Sequence, residues 1–412
     1  MISKLKYLPI NWKNGMAFSQ DHLNQQYLAV ADSMRDVSAV ILTSFNYGIL
    51  GSSGQKKWAE AFRDNTNNEK VEVSFCRAIT LNGSRIEILD ENWQELSCPL
   101  SELIGTKNIR STRYWYVLLI VDPFTRIQEG IEDEQENPRR KPFTRPAYRL
   151  ELMSKEDLSL DNLANALPIA KFEVTATGFR KVDTYIPPCT QINSHEKLVH
   201  KYELYDSALS SLKDSAVKII ENVRLKRRNR DNNQLAEDIG ALSKQYLDYF
   251  VANYDEFRLS FLEQSPINLL TFFAKLARSL DITLDLGHDK GHVFKYFKQY
   301  ASSVSLSEIH ASLKNTFESN YEHFDIAQSL EAVDTFVIIF EEIFKRLEKL
   351  EYRDLVQANV VVEDKISNSF QQSRPSQPKR STPKSGAPIF RPRQSGRRDN
   401  LDRKHNIGDG LE

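Results

Sequence analysis

Three cysteines in 412 residues, Cys76, Cys98 and Cys189, form an odd set with no CxxC spacing. That argues against a disulfide framework and against a structural zinc site. No apolar run approaches the roughly 20 residues that span a bilayer. The N-terminus has no apolar signal core, because Lys4, Lys6, Asn11 and Lys13 interrupt it. The direct reading is a soluble cytoplasmic protein. The chain also lacks a GxSxG elbow, a Walker A loop, an HExxH pair and a GxGxxG turn. With no nucleophile–base pair in view, the expectation is a non-enzyme with no cofactor, no metal and no small-molecule substrate.

What the chain does have is uneven. The formal net charge is −1, but ten Lys and Arg against two Asp give Ser373–Lys404 a charge of +8, leaving −9 for the rest. The length calls for more than one domain. Residues 1–193 mix short β-type runs with turns. Val71, Val73 and Phe75 alternate with Glu72 and Ser74 up to Cys76, the pattern of a half-buried strand. Asn82-Gly83 lies between Ile79–Leu81 and Arg85–Leu89, a hairpin signal of type I′ chemistry. Tyr114–Val121 is continuously apolar and reads as a central strand, with Ala147–Met153 and Ile169–Val174 beside it; Glu129–Pro146 reads as a long exposed loop. These runs predict a β-sandwich with a helix near its start.

Pro187-Pro188 ends the β region, since proline removes ladder donors. Residues 194–364 then turn helical. Leu198, Tyr202, Tyr205, Leu209, Leu212, Ala216, Ile219 and Val223 are spaced 4, 3, 4, 3, 4, 3, 4, a period-3.5 seam. Further seams run through Leu235, Ile239, Leu242, Tyr246 and Tyr249, and through Leu330, Val333, Val337, Phe340, Phe344 and Leu347. Ser265-Pro266 marks a helix start. The whole reads as a helical bundle. The first seam fits antiparallel packing within one chain and equally a contact between copies; its eight residues are the candidate oligomer interface. Residues 365–412, rich in Ser, Pro, Gln, Gly and Arg, cannot bury enough apolar surface to fold and are expected to be a disordered basic tail. The fold class is α+β multidomain.

Candidate chemistry is sparse. Asp281, Asp285, His288, Asp289 and His292 place two histidines four apart, but Gly287 and Gly291 favour a polar interhelical loop over a ligand-holding helix. The basic run Arg224–Arg230 fits either nucleic acid or a solvated helix end, where cations favour the C-terminal dipole. The acidic body favours the helix end.

The N-terminal stretch Ile10–Leu23 is the most informative. It reads as a short entry strand, a turn at Gly15 and a helix opened by Ser19. Trp12, Met16 and Phe18 crowd large apolar groups where chains usually fray. They suit either the domain's own core or an interface, where aromatics and Met are enriched. This opening resembles that of the TssK family, the trimeric baseplate adaptors of type VI secretion systems: a tryptophan, a glycine-methionine pair, then a polar helix start with a histidine, here His22. Leu167-Pro168-Ile169-Ala170, followed by Tyr185-Ile186-Pro187-Pro188, is similar to the same family's pair of segments at the end of its first domain. The resemblance covers roughly residues 1–195. It implies a shoulder domain like that of phage receptor-binding proteins, a helical neck and a homotrimer. It also implies attachment to the TssF–TssG wedge and puts Trp12, Gly15, Met16 and His22 in the shoulder's opening motif; these four with Phe18 are the candidate partner contacts. The family's compact head, which meets the envelope complex TssJ–TssL–TssM, has no counterpart here. A basic tail stands instead, suited to an acidic partner or to an anionic membrane surface at the inner face of the cytoplasmic membrane. Two alternatives are a phage-tail-like attachment subunit and a nucleic-acid-binding protein using the tail.

Overall fold

Ser19 opens the first helix as expected: its Oγ accepts the amide of His22 at 3.4 Å, and α1 runs over Gln20–Ile41. The segment before it does not enter as a strand. The Ile10 amide donates to Gln26 Oε1 at 3.0 Å and Gln25 donates to the Leu8 carbonyl, so residues 6–10 lie as an arm along α1 rather than in a sheet. In the computed structural model, the described residues are 4–51, 62–65, 70–89, 96–105, 107–176, 178–228, 234–288, 293 and 306–349.

The N-terminal half builds three antiparallel sheets. The first joins β1 (Gly48–Ile49), β4 (Cys76–Ile79) and β5 (Arg85–Ile88) in the order β1-β4-β5; the second joins β2 (Phe62–Asn65), β3 (Lys70–Val73) and β6 (Leu96–Pro99) in the order β2-β3-β6. The third has β7 (Tyr114–Glu129) at its centre, between β8 (Phe143–Ser154) and β9 (Ala166–Thr175), with β10 (Gly178–Lys181) at the edge. As expected, Tyr116–Leu119 is wholly buried in that central strand. The first and third sheets face each other, and Tyr148 of β8 takes the Glu87 amide of β5 on its hydroxyl at 3.1 Å.

Three local expectations change. The run Val71–Cys76 is two strands, because the chain breaks at Ser74-Phe75 and sends β3 and β4 to different sheets. The loop after Glu129 is shorter than expected, since β7 and β8 continue pairing out to Glu129↔Phe143, with a register shift between Asp122 and Arg126. The Asn82-Gly83 hairpin forms, but the Thr80 amide still donates to the Ser84 carbonyl, so three residues make the loop. Gly83 takes φ +81°, and a Cβ there would lie 2.2 Å from the Arg35 carbonyl of α1. The turn therefore needs glycine for close approach as well as for its sign of φ.

A short helix, α2 (Leu100–Ile104), follows β6. The second half is helical: α3 (Glu196–Arg228), α4 (Gln234–Ser260), α5 (Ile267–Leu286, entered from Pro266), α6 (Leu306–Glu318), α7 (Ile326–Ser329) and α8 (Glu331–Lys349). Residues Met1–Tyr352 make one compact unit, so sheets and helices share an interface although the composition shifts near residue 193. At that joint Lys171 of β9 pairs with Asp325 at 2.5 Å, both buried, and Tyr116 donates to the same carboxylate at 3.0 Å. Asp325 also caps α7 through its other oxygen, accepting the Gln328 amide at 3.3 Å. His323 bridges Tyr321 and the Tyr47 carbonyl at 2.8 and 2.7 Å. The end of the expected helical domain, 350–364, and the basic tail 365–412 lie outside the described residues.

Candidate functional site: the N-terminal arm and helix

The face of α1 that meets its own domain is small and polar. Ala29, Asp32, Arg35 and Ala39 are its buried residues. Asp32 accepts the amides of Lys6 and Tyr7, the latter at 3.0 Å, and so ties down the arm. Arg35 donates to Asp32 at 2.9 Å and to Asn82 Oδ1 at 2.6 Å, which ties the helix to the hairpin turn. Burial alone would raise the Asp32 carboxyl; the two backbone amides and Arg35 outweigh it and hold it below its ordinary value. Asn82 thus serves as a docking group as well as a turn residue.

The opposite face is apolar and open. Leu23, Tyr27, Val30, Met34, Val37, Val40 and Ile41 are all exposed, Met34 by 68 % and Ile41 by 73 %. Leu23, Tyr27, Val30, Met34, Val37 and Ile41 are spaced 4, 3, 4, 3, 4. The helix is amphipathic in the reverse of the usual sense for a domain of this kind: its apolar stripe looks outward. Tyr27 has a cover within the chain, the Arg126 guanidinium 5.2 Å above its ring.

Just ahead of α1, Gly15 makes the turn at φ +79°, and the Met16 amide closes onto the Lys13 carbonyl at 3.2 Å. The turn gathers the predicted partner residues into one cluster. Trp12 stacks on Phe18 at 6.0 Å and meets His22 edge-on at 6.0 Å. Trp12, Met16 and Phe18 are exposed, Phe18 by 68 %, so they do not serve the domain's own core. His22 Nδ1 is buried with no hydrogen-bond partner among the described residues.

The other half of the family-like pattern is internal. Leu167–Phe172 lies buried in β9, and the Tyr185 hydroxyl donates to the Pro168 and Phe324 carbonyls at 3.2 and 2.8 Å. The Pro188 carbonyl accepts the Ile49 amide at 2.8 Å, and a Cβ on Gly48 would collide with that same oxygen. These segments weld sheet to helices; they are not a contact surface.

The candidate oligomer interface on α3 is corrected by its burial. Leu198, Tyr202, Tyr205, Leu209, Leu212, Ala216, Ile219 and Val223 are all buried inside the chain's own bundle, Leu209 to 1 % and Ile219 to 0 % exposure. Tyr202 stacks on Phe257 at 4.9 Å, Tyr205 donates to Asp334 at 2.6 Å, and the Leu209 carbonyl accepts the Tyr246 hydroxyl at 2.6 Å. Helices α4 and α8 occupy the seam, so a second copy finds none of it exposed. Period alone could not separate this seam from the one on α1; the missed signal was that the opposite side of α1 carries Asp32 and Arg35 among small residues.

Among the described residues the other polar clusters are internally paired. A cleft of about 1180 Å³ lies between β9, β10 and the starts of α3 and α8. Its charges are largely spent on one another: Glu173 with Arg113 and Arg180, Lys171 with Asp325, Lys201 with Asp334. Burial raises the thiols of Cys76 and Cys189. Of the histidine–aspartate group, His288 pairs with Asp238 at 2.9 Å, a hydrogen bond that raises its pKa, while Asp289 and His292 lie outside the described residues. No group of three metal-ligating side chains occurs among the described residues. Arg224–Arg228 forms the last turns of α3. Among the described residues no helix is long and apolar enough to cross a membrane.

No protein-family model matches the sequence, and no curated protein matches it. Similar solved structures exist at low identity. One is the baseplate complex from the type VI secretion system, 13 % identical over 82 % of this chain and 99 % of that chain, with a TM-score of 0.46. Another is a crystal structure of TssK, 12 % identical over 81 % of this chain and 69 % of that one, TM-score 0.44. A third is the TssK-TssF-TssG baseplate subcomplex, 10 % identical over 84 % of this chain and all of that one, TM-score 0.38.

Proposed function

We propose that the chain is a non-enzymatic structural subunit of a type VI secretion baseplate, a divergent TssK-like adaptor that links the baseplate wedge to the cell envelope. The observation that carries this reading is the exposed cluster of Trp12, Met16 and Phe18 around His22. Trp12, Met16 and His22 belong to the motif through which the sequence resembles the TssK family, and Phe18 lies within the same stretch. An aromatic and Met cluster left in solvent has the composition of an interface core. Its fixed support, α1 strapped by Asp32 and Arg35, suits a surface that must meet a partner in one geometry. Proteins of the TssF and TssG kind, which accompany TssK in the subcomplex named above, are the partners proposed for it. The chain works as a homotrimer on the cytoplasmic side, with the envelope complex or another membrane-associated partner at its far end.

Co-purification tests the wedge contact. The full chain is expected to retain TssF and TssG counterparts co-expressed with it. Trp12→Ala with Phe18→Ala should abolish retention while leaving the far-UV circular dichroism unchanged. Retention equal to that of the unaltered chain would overturn the assignment of this cluster.

A further inference from the structure

We propose that the cleft between the third sheet and the starts of α3 and α8 binds an acidic, extended segment of a protein partner. The partner's carboxylates meet Arg113 and Arg180 on the sheet wall and Lys197 and His200 on the helix wall. This site shares no residue with the Trp12 cluster, so it holds or fails independently of the wedge contact.

Pairing within the cleft leaves cations over. Lys171 cancels Asp325, and Lys201 cancels Asp334. On the sheet wall, however, two guanidiniums share one carboxylate. Tyr114, Glu173 and Arg180 are register partners across β7, β9 and β10, so they stand in one row on one face. Arg113 donates to Glu173 Oε1 from Nε and an Nη at 2.8 and 2.6 Å, and Arg180 donates to Oε2 at 2.5 Å. The two arginine side chains are 70 % and 71 % exposed, against 12 % for Glu173. Both guanidiniums hold Glu173 below its ordinary pKa, so it is ionised and the trio keeps a positive charge. A guanidinium carries five N–H donors in a planar fork. Most of them remain for a second carboxylate.

On the helix wall the Lys197 ammonium donates to the main-chain carbonyls of Asp183 and Tyr185, and among the described residues it bonds no carboxylate. Burial and the neighbouring Lys181 lower its pKa, against weaker pulls from Asp183 and Glu196. An ammonium so placed lacks a counter-anion. His200 follows one turn along α3, exposed and on the same side.

The rest of the lining selects a peptide over a free anion or a nucleic acid. The first amides of α3 are spent, since those of Lys197, Leu198 and Val199 all donate to His195. No amide cradle is left for a phosphate. Glu196 and Glu331 line the same cleft. A phosphodiester backbone would meet them with like charge at every step, whereas a peptide can set its carboxylates only opposite the cations. Leu204, exposed one turn beyond His200, adds an apolar contact that a small anion would not use. The volume of about 1180 Å³ also exceeds the range of about 300–1,000 Å³ usual for small ligands.

The probe is a fluorescein-labelled Gly-Ser peptide carrying several glutamates, titrated into the full chain and followed by anisotropy. Saturable binding is expected, weakening as salt rises. Arg180→Gln with His200→Glu should weaken it by about tenfold or more, since hydrogen bonds to charged groups are lost. Circular dichroism should be unchanged, because both side chains are exposed and Arg113 still covers Glu173. Arg139→Gln with Gln135→Glu makes the same formal change in charge on the exposed loop after β7 and should shift binding by no more than about twofold. A benzophenone on the same peptide should cross-link to β10 or the start of α3 rather than to residues 373–404, whose charge of +8 also attracts acid. Absence of saturable binding overturns the proposal, as does an equal loss in the two variants. So do cross-links confined to residues 373–404, displacement of the peptide by inorganic phosphate at equal concentration, or tighter binding of a short single-stranded DNA through the same residues.

Discussion

Two helices of this chain carry the same apolar period, and only one of them is used up. On α3 the residues from Leu198 to Val223 meet α4 and α8 and are buried. On α1 the residues from Leu23 to Ile41 meet solvent, while Asp32 and Arg35 hold the helix by its polar side. A heptad seam therefore states that a helix wants a helical neighbour, and not whether that neighbour lies in the same chain. What decides is the remainder of the sequence. The stretch after α3 supplies two further amphipathic helices that return along it. The stretch after α1 supplies β-strands, which take its small polar face and leave the apolar one.

The contrast can be broken most sharply at Leu209. Its truncation to alanine should cost about 2–5 kcal/mol, the lost transfer energy plus a cavity, and lower the thermal midpoint of the whole unit. Met34→Ala should change the stability of the single chain by no more than about 0.5 kcal/mol, as befits an exposed site. Denaturant titration at a concentration where the chains are separate measures both.

Acid separates the two regions next. Burial lowers His323 from about 6.5 to about 4, against a smaller opposing hydrogen bond from its environment at Tyr47. Burial and Lys197 lower His195 to about 3. Below 6.5 the unfolded chain binds protons that the folded chain refuses, so stability falls as pH drops from 6.5 to 4. For His323 alone the loss is about 3 kcal/mol over that window. Asp32 behaves differently: its pKa is lowered from 3.8, so its contribution is complete above that value and is lost as the pH falls from there through the lowered one. Hydrogen exchange at pH 5 should therefore show loosening around Tyr47, Tyr321 and His195 while α1 keeps its protection.

A smaller effect is expected at the strap itself. Arg35→Met removes the ion pair with Asp32 and the bond to Asn82, and leaves Asp32 buried with its two amide donors. The cost should be about 1.5–3 kcal/mol, the range for a hydrogen bond to a charged group. It should appear as faster exchange in α1 and in the Asn82-Gly83 turn rather than in the bundle.

Much of this architecture was legible from residues. Ser19 as a cap, the aromatic run Tyr114–Val121 as a central strand and the helical half after Pro187-Pro188 all follow from local chemistry, and the structure bears them out. The errors share a cause, which is that long-range partners choose among locally equivalent options. Val71–Cys76 has one alternating pattern but two sheets to serve. Asn82-Gly83 has turn chemistry, yet its conformation also answers to Arg35 and Ala39 of α1. The candidate contact cluster at Trp12 was legible as an excess of apolar groups; its exposure depends on where the arm lies, which Asp32 decides from 25 residues away. The seam on α1 was as regular as the one on α3, and its exposure follows from Asp32 and Arg35 turning the opposite face inward.

Co-purification of the Trp12→Ala, Phe18→Ala chain beside Leu209→Ala, both as full chains below their melting temperatures, tests the central claim most directly. The account predicts that the first, though folded, loses its TssF and TssG counterparts and that Leu209→Ala, though less stable, retains them. If the first retains them while Leu209→Ala loses them, the contact runs through the bundle and the assignment to the N-terminal cluster is wrong.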